Sequence, residues 1–345
     1  MKRSRIFKMA IGMAALSLLF ISISSFAAEE KWPTRPITVV IPFKAGGGTD
    51  LSIRAIKSGM EKFLGVPIAV VNMEGAGGGV AMRYVFNQPK DGYTLLGWTT
   101  GFYAMPATGL SDFTYRDYRM VAQTALGIST FNTAYNSPLK TMDDLIKKMK
   151  EESIPIAFEY VGGPWYQGLA LFANKIGAKK FIPVSQGGGY PSAVAAMKGE
   201  TLVGMSDIGE SFNLLKEKRL RALAVMDTKP FKIEGLPDIP PITQFVPGIS
   251  EKVLISIKGS RGLCYHRDVP EKYIEKMVEA ARFAVEKDPE FMEILKKRNW
   301  IPARVFGKEA DQQAEIGTRV VSWLLYDLGA AARSPETVKI ERYKE

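Results

Sequence analysis

A glycine-rich segment near the amino end has the composition of a ligand-binding loop. It reads Phe43-Lys44-Ala45-Gly46-Gly47-Gly48-Thr49-Asp50 and lies between a strand pattern and a helix pattern. Glycines let the backbone approach a ligand closely, and the free N–H groups at the start of a helix favour an anion. A tight turn capped by Thr49 or Asp50 is the alternative, but three consecutive glycines exceed what capping needs. The segment therefore predicts an anion-binding loop.

Two turns of the same kind occur in the second half of the chain. Each follows a strand pattern and opens a helix pattern: Gly162-Gly163-Pro164-Trp165-Tyr166 and Gln186-Gly187-Gly188-Gly189-Tyr190-Pro191. In open parallel sheets, ligands bind beyond the carboxyl ends of the strands, where such turns lie. Helix capping explains each turn about equally well. Asp207 also follows a predicted strand, so it either contacts a ligand or water, or caps the helix that starts near Ser211.

Most other chemistries lack their residues. Lys44 precedes the glycines, so the order of a P-loop is absent, and Val80 stands where a dinucleotide fingerprint needs glycine. Ile208 likewise breaks a nucleophile elbow. The single cysteine, Cys264, cannot form an internal disulfide and is expected to be a buried apolar residue, and the single histidine, His266, is expected to be solvated. We therefore expect no catalytic residue, metal or cofactor.

The segments around these loops alternate between strand and helix patterns. A first set is predicted at Ile37–Pro42, Thr49–Leu64, Ile68–Asn72, Val80–Asn87 and Tyr93–Trp98. A second set is predicted at Met142–Glu151, Ile154–Phe158, Gln167–Ile176, Lys180–Val184, Pro191–Lys198, Leu202–Met205, Ser211–Lys218 and Leu220–Val225. Such alternation implies mainly parallel sheets flanked by helices, and two sets imply two α/β lobes.

The remaining segments suggest how the lobes are joined. Residues 230–247 are rich in proline and predict an irregular linker. A strand at Val253–Ile257 and helices at Glu271–Lys287, Pro289–Arg298 and Lys308–Leu328 follow. A chain that leaves one lobe and later returns would have a two-stranded hinge. We expect one lobe from residues 28–127 and 251–333, a second from 128–250, and a loose tail at 334–345.

The first 27 residues have the pattern of a secretory signal peptide. Four basic residues precede an apolar run and a Ser25-Phe26-Ala27 ending, which predicts cleavage after Ala27. The alternative, a membrane anchor, needs about 20 apolar residues where about 13 are present. Cleavage removes four of the ten net positive charges and leaves +6. Since no alternation of aromatic and basic residues accompanies this charge, we expect a soluble, exported protein that binds no nucleic acid.

The pattern as a whole resembles the extracytoplasmic solute-binding proteins of tripartite tricarboxylate transporters, the Bug receptors. The resemblance covers residues 32–331, and its matching stretches are Trp32–Ile37, Val40–Asp50, Asn72–Gly78, Lys90–Leu96, Leu220–Val225 and the helix from Val269-Pro270. It implies a Venus-flytrap fold of the type II kind, with two lobes that close on a small organic carboxylate. With the signal peptide, it also implies a periplasmic, monomeric receptor that has membrane transporter subunits as partners.

The resemblance also implies which residues bind the ligand, largely through main-chain groups and bridging waters. In one lobe these are Phe43, Ala45, Gly46, Thr49 and Asp50, with polar contacts from Thr99 and Thr100. In the other lobe they are Gly163, Gly187, Gly188 and Asp207. Where relatives commonly carry a Gly/Ser-rich loop and a histidine, this chain has Trp165 and Tyr166. These rings favour a cyclic or aromatic carboxylate over citrate, unless they pack into the core.

Two alternatives to a transport receptor stay open at this point. A receptor that presents its ligand to a signalling partner would have the same sequence features. An exported enzyme acting on small acids is the other, although the residues offer it no catalytic constellation.

Overall fold

Eleven strands form two sheets in the part of the chain that the computed structural model describes, residues 31–179 and 181–344. The signal peptide expected at 1–27 lies outside these residues. The first sheet has six strands in the order β11-β4-β10-β3-β1-β2. Its strands are β1 (Ile37–Ile41), β2 (Ile68–Asn72), β3 (Thr94–Thr99), β4 (Tyr118–Gly127), β10 (Gly259–His266) and β11 (Ile301–Phe306).

The second sheet has five strands in the order β7-β6-β8-β5-β9. They are β5 (Ser129–Ala134), β6 (Pro155–Phe158), β7 (Ile182–Ser185), β8 (Val203–Asp207) and β9 (Leu220–Val225). A continuous cluster of buried apolar side chains draws on both sheets, with Leu96 and Cys264 from the first and Phe131 and Met205 from the second.

Both sheets are mixed, which corrects the expectation of mainly parallel ones. β1 runs parallel to β2 and β3, but β10 is antiparallel to β3 and β4, and β11 is antiparallel to β4. In the second sheet β6 is parallel to β7 and β8, whereas β5 is antiparallel to β8 and β9. The sequence pattern missed β4 and β5, because β4 is buried on both faces and does not alternate.

The chain crosses between the sheets twice within the described residues. Only Ile128 separates β4 in the first sheet from β5 in the second. The return runs from β9 through residues 226–258 into β10 and includes the proline-rich segment, which is largely irregular as expected. The strand expected at Val253–Ile257 is wrong: Ser250 caps a helix there, and the strand begins only at Gly259.

Helices cover the strands close to where the sequence predicts them. They are α1 (Gly48–Leu64), α2 (Gly79–Phe86), α3 (Met105–Thr108), α4 (Met142–Glu151), α5 (Pro164–Lys175), α6 (Gly189–Met197), α7 (Ile208–Lys216), α8 (Glu251–Ile257), α9 (Glu271–Lys287), α10 (Pro289–Arg298) and α11 (Lys308–Asp327). α5 begins three residues earlier than expected, because Pro164 occupies its first turn directly after the Gly163 cap. None of the described helices is long and apolar enough to cross a membrane.

The carboxyl-terminal segment expected to be loose is instead packed. Its described part forms a short 3₁₀ helix at Pro335–Val338, and Ile340 beyond it is only 1% exposed. Trp323 of α11 donates its indole N–H to the Ile340 carbonyl at 3.0 Å. Arg342 forms an ion pair with Asp327 at 2.6 Å. Arg319 of α11 also donates to the carbonyls of Glu341 and Arg342, so a buried apolar side chain and several polar contacts hold the tail on α11.

Replacing Ile340 with alanine tests this packing. We expect Ile340→Ala to lower the free energy of unfolding by about 2–4 kcal/mol, because a buried side chain is truncated beside a helix that cannot fully collapse onto the gap. Denaturant unfolding measures the change. Lys344→Ala, at an exposed position of the same segment, is the control and should change stability by less than about 0.5 kcal/mol. Equal effects of the two substitutions would contradict a docked tail.

Candidate functional site

The glycine-rich loop leads directly into α1, whose start is free of a side-chain cap. The cap residue is Gly47, which has no side chain to accept a hydrogen bond. The first N–H groups of α1 therefore have no partner within the helix. Asp50, 1% exposed, instead holds the loop together: its carboxylate accepts hydrogen bonds from Gly46 N–H at 2.9 Å, Arg54 Nε at 3.0 Å and Asn72 Nδ2 at 3.1 Å. Asp50 therefore shapes the loop, and its predicted ligand contact stays a prediction.

These hydrogen bonds also decide the charge of Asp50. Burial alone would raise the pKa of this carboxyl, but the bonds from Arg54, Gly46 and Asn72 together lower it below its usual value. Asp50 is thus a stable carboxylate within the first turn of α1, where negative charge is favoured by the helix dipole.

A buried guanidinium lies behind the start of α1. Arg261 of β10 packs so closely on Gly48 that a Cβ atom there would lie 2.6 Å from Arg261 Nε. Arg261 Nη2 donates to Asp207 Oδ2 at 3.0 Å, and the two side chains are 5% and 0% exposed. The Trp300 ring lies 4.5 Å from the guanidinium carbon. One cation thus joins β10 of the first sheet to β8 of the second and lies directly behind the start of α1.

The sequence analysis did not single out Arg261, because it predicted no strand at residues 259–266. The available signal was its position between Ser260 and Gly262 in a run that ends Gly-Leu-Cys-Tyr, which is a buried strand interrupted by one charge. An unpaired charge inside a strand requires a partner, and that partner lies far away in sequence.

Asp207 serves as a helix cap and an ion-pair partner. Its Oδ1 accepts the Gly209 N–H at 2.7 Å, and the Glu210 side chain accepts the Asp207 N–H at 3.1 Å, which completes a capping box for α7. The helix starts at Ile208 and not at Ser211 as expected. Because the carboxylate is fully buried between Arg261 and the helix end, the structure favours the cap over the direct ligand contact expected for Asp207.

Two further acids, the buried Glu159 and the partly buried Glu210, lie at helix starts in the second sheet's half of the molecule. Glu159, 5% exposed, accepts the Trp165 N–H at 2.7 Å in the first turn of α5. Burial raises the pKa of Glu159 well above its usual value. Glu210 lies against the start of α6, where a Cβ atom on Gly189 would be 2.0 Å from Glu210 Oε2. Burial, and then the neighbouring Asp207, raise the pKa of Glu210 to about 7.

Several of the expected backbone donors bond within the protein. Gly163 N–H donates to the Tyr160 carbonyl at 3.0 Å, and Gly187 N–H donates to the Glu159 carbonyl at 2.7 Å. Gly188 caps α6, and its carbonyl accepts the Ser192 hydroxyl at 2.7 Å. Gly163 and Gly187 therefore shape the second-lobe loops through their amides, and their ligand contacts stay a prediction.

The two threonines after β3 differ in their contacts. Thr99 caps the 3₁₀ helix Thr100–Ala104 by accepting the Gly101 N–H at 3.4 Å. Thr100 is 1% exposed, and its hydroxyl is buried with no hydrogen-bond partner among the described residues. An unsatisfied buried hydroxyl is costly, so Thr100 retains hydrogen-bonding capacity at the end of β3.

Tyr160, which the sequence analysis did not single out, reaches from the second sheet to three loops of the first. Its ring stacks on Phe43 with centroids 6.2 Å apart. A Cβ atom on Gly101 would lie 2.3 Å from the phenol oxygen, and one on Gly77 would lie 3.7 Å from the ring. Burial raises the pKa of Tyr160 far above its usual value. Tyr160 therefore closes the two sets of strand ends against each other.

Trp165 and Tyr166, expected to line the ligand pocket, pack into the core. Trp165 is 4% exposed and lies against Gly259, where a Cβ atom would be 2.3 Å from the indole. Tyr166 is 8% exposed and packs on Phe158 and Phe181, with centroids 5.0 and 6.1 Å away. The preference for an aromatic ligand inferred from these two rings thus loses its basis.

The structure also describes the other residues singled out from the sequence. Phe43 and Thr49 lie in and after the loop, Thr49 being buried at 6% exposure, and Ala45 lies on the exposed loop surface. Cys264 is fully buried as expected, and burial raises the pKa of its thiol well above the usual value. His266, expected to be solvated, is instead mostly buried: 21% of its side chain is exposed, and its ring packs edge-on against Phe86 at 5.0 Å. No cluster of three or more His, Cys, Asp and Glu side chains within 31–179 and 181–344 is arranged to hold a metal.

Two mixed α/β sheets whose strand ends meet across glycine-rich turns define a two-lobed binding protein. The chain belongs to the tripartite tricarboxylate transporter receptor family, TctC, whose model matches residues 52–316. A Cupriavidus necator protein described as "UPF0065 protein in gbd 5'region" is 24% identical over 96% of this chain and 98% of its own. The protein BugT of Bordetella pertussis is 28% identical over 61% of this chain and 67% of its own. The resemblance to the family is thus confirmed.

Solved structures confirm the two-lobed periplasmic-binding-protein fold. MatC from Rhodopseudomonas palustris, with bound malate, is similar with a TM-score of 0.71 and 22% identity over 86% of this chain and 100% of that one. Rpa4515 of R. palustris, with adipate, is similar with a TM-score of 0.72 and 22% identity over 87% of this chain and 99% of that one.

The buried ion pair can be tested by removing its cation. We expect Arg261→Gln to lower the free energy of unfolding by about 3–5 kcal/mol, because Asp207 stays buried without its countercharge. Denaturant titration measures the loss. The control Arg219→Gln breaks an exposed pair with Glu217, 3.8 Å apart, and should change stability by less than about 1 kcal/mol. If Arg261→Gln lowered the free energy of unfolding no more than Arg219→Gln does, the buried pair would contribute no more to stability than an exposed one.

Glu210 should make stability depend on pH. Its folded pKa of about 7 lies above the unfolded value, so the folded state keeps a proton that the unfolded state releases. The stability from Glu210 is complete at low pH and is lost as pH rises toward and through 7. Glu210→Gln should therefore gain about 2 kcal/mol relative to the native protein between pH 5 and pH 8. Thermal unfolding measures this, and the exposed Glu217→Gln should show no such trend.

Proposed function

We propose that this protein is an extracytoplasmic receptor that captures a small organic carboxylate between its lobes and delivers it to a tripartite tricarboxylate-type transporter. The observation that carries the proposal is the uncapped start of α1 with Arg261 packed behind Gly48. Free helix N–H groups and a nearby guanidinium are the combination that holds a carboxylate. The malate and adipate bound by two structural relatives support the same ligand class.

Binding in this proposal uses groups from both lobes. The carboxylate accepts hydrogen bonds from the loop that ends at Gly48, and Thr49 and the free hydroxyl of Thr100 border the same strand ends. Tyr160 and Phe43 come together across the cleft when the lobes close. Ligand binding shifts the population toward the closed form, which docks on the membrane components, and the ligand is released unchanged.

We place this receptor in the periplasm, on the strength of its family and the signal-peptide pattern of residues 1–27. Its partners are then transporter subunits in the membrane, and a single chain suffices for the site because both halves of the cleft come from it. A receptor for a signalling partner would use the same site, so the choice between transport and sensing depends on what the closed form contacts.

Titration calorimetry on the purified protein lacking residues 1–27 tests the ligand class. Malate and adipate are the probes, with glucose and putrescine as controls for a sugar and a cation. We expect the carboxylates to bind and the controls to give no heat. Gly48→Ala should weaken carboxylate binding at least tenfold, because the new Cβ displaces Arg261.

The neighbouring Gly47→Ala is the matched control, since a Cβ there meets only the Lys44 carbonyl at 3.2 Å. It should weaken binding much less than Gly48→Ala. Tight binding of glucose or putrescine without any carboxylate would overturn the proposed function.

A further inference from the structure

The second sheet borders a cavity at the end that lies away from the cleft. β5 begins at Ser129, which pairs with Asp207, and ends at Ala134, which pairs with Leu220 of β9. At the rise of a strand, the far end of β5 lies about 20 Å from Asp207. A cavity of about 600 Å³ lies there, between β9, the start of α4 and the proline-rich segment. This outer cavity is therefore separate from the cleft in which we place the carboxylate.

Most of the wall of the outer cavity is apolar. Sites for small molecules typically enclose roughly 300–1,000 Å³ and combine apolar walls with a few polar groups. β9 is the last strand of its sheet, so the cavity lies along a sheet edge. The apolar lining comes from the end of α7, from β9 and from the proline-rich segment: Leu215, Leu220, Leu223, Leu236, Ile239 and Phe245. The apolar part of a ligand would be removed from water here.

One cation in this wall has a hydrogen-bond donor without an acceptor. Arg221 of β9 lines the outer cavity, and its Nη1 is buried with no hydrogen-bond partner among the described residues. The guanidinium carbon lies 4.8 Å from the centroid of the Tyr135 ring, which also lines the cavity. A ring on the flat face of a guanidinium leaves the in-plane N–H groups for an acceptor. Because buried donors are nearly always satisfied, Arg221 indicates a missing acceptor in this wall.

The charges around the outer cavity favour an anion as that acceptor. The charged residues that line it are Lys140, Lys218, Arg221, Asp143 and Asp238. Asp238 has a countercharge in Lys232, 3.7 Å away and outside the lining, so three lining cations remain against one acid. Lys140 Nζ donates to the Tyr135 carbonyl at 3.4 Å, which places its ammonium near the residue that stacks on Arg221. A single negative charge on an apolar body matches this lining.

We propose that the outer cavity is a second ligand site, which binds a small monocarboxylate with an apolar body. The carboxylate accepts hydrogen bonds from Arg221, and the apolar body lies against the leucines of β9. Hydrogen bonds between a guanidinium and a carboxylate are charge-assisted and therefore strong. The site is independent of the cleft, so this inference goes beyond the proposed function and does not rest on it.

Titration calorimetry with octanoate on the purified mature protein tests the second site. Octanol and octylamine are the probes of equal length without charge and with positive charge. We expect octanoate to bind at least tenfold more tightly than octanol, and octylamine to give no heat. Arg221→Gln should weaken octanoate binding at least tenfold, because it removes the guanidinium. The matched control is Arg219→Gln, an exposed position outside the lining of the cavity, which should leave octanoate binding unchanged.

Gly48→Ala separates the outer cavity from the cleft. Its new Cβ displaces Arg261 beside the cleft and leaves the outer cavity untouched, so octanoate binding should not change. Arg221→Gln, in turn, should leave the binding of malate and adipate unchanged. Octanoate binding that falls in Gly48→Ala but not in Arg221→Gln would place octanoate in the cleft and overturn the second site.

The other outcomes are equally decisive. No binding of octanoate to the native protein overturns the second site, and equal affinity for octanol shows an apolar groove that does not recognise an anion. An equal loss in Arg219→Gln and Arg221→Gln shows a general effect of charge and also overturns it. If thermal unfolding shows that Arg221→Gln does not fold, Lys140→Glu replaces it: this exposed charge reversal should weaken octanoate binding at least threefold, and unchanged binding refutes the site.

Discussion

The buried pair between Arg261 and Asp207 is the contact on which the rest of the site depends. It links a strand of each sheet. Because both side chains are buried away from water, removing one charge would leave the other buried without a countercharge. The space around it is closed to larger residues: a Cβ atom at Gly127 would lie 1.6 Å from Asp207 Oδ2, and one at Gly48 would collide with the guanidinium. Glycine is therefore required at these two positions because a larger residue would collide with the buried ion pair.

The two lobes show how one local pattern acquires opposite chemistry. A glycine-rich turn between a strand and a helix occurs at Gly46–Gly48, at Gly162–Gly163 and at Gly187–Gly189. At the first, Asp50 bonds to the loop and leaves the helix start free. At the other two, Glu159 and Glu210 occupy the space beside the helix starts. The side chains that arrive from elsewhere decide whether the helix start after such a turn stays free or lies beside an acidic side chain.

The aromatic residues divide in a similar way between core and cleft. Trp165 and Tyr166 follow a glycine turn and appear placed for a ligand, yet the helical geometry of α5 turns both rings inward. Tyr160, before the turn, contacts Phe43 and the glycine positions 77 and 101 of the other lobe. Glycine at these two positions is what admits its ring, so closure depends on small residues from one lobe and a large one from the other.

The sequence by itself determined the family and most elements whose signals are local. The boundaries of β2, α4, β9, α9 and α10 follow from apolar periodicity and capping residues, which act within a few positions. Tertiary structure alone decided the crossing at Ile128 and the packed tail. It also decided the roles of Arg261, Glu159 and Tyr160. Arg261 and Asp207 are 54 positions apart, and no spacing rule relates two charges that meet only when two sheets assemble.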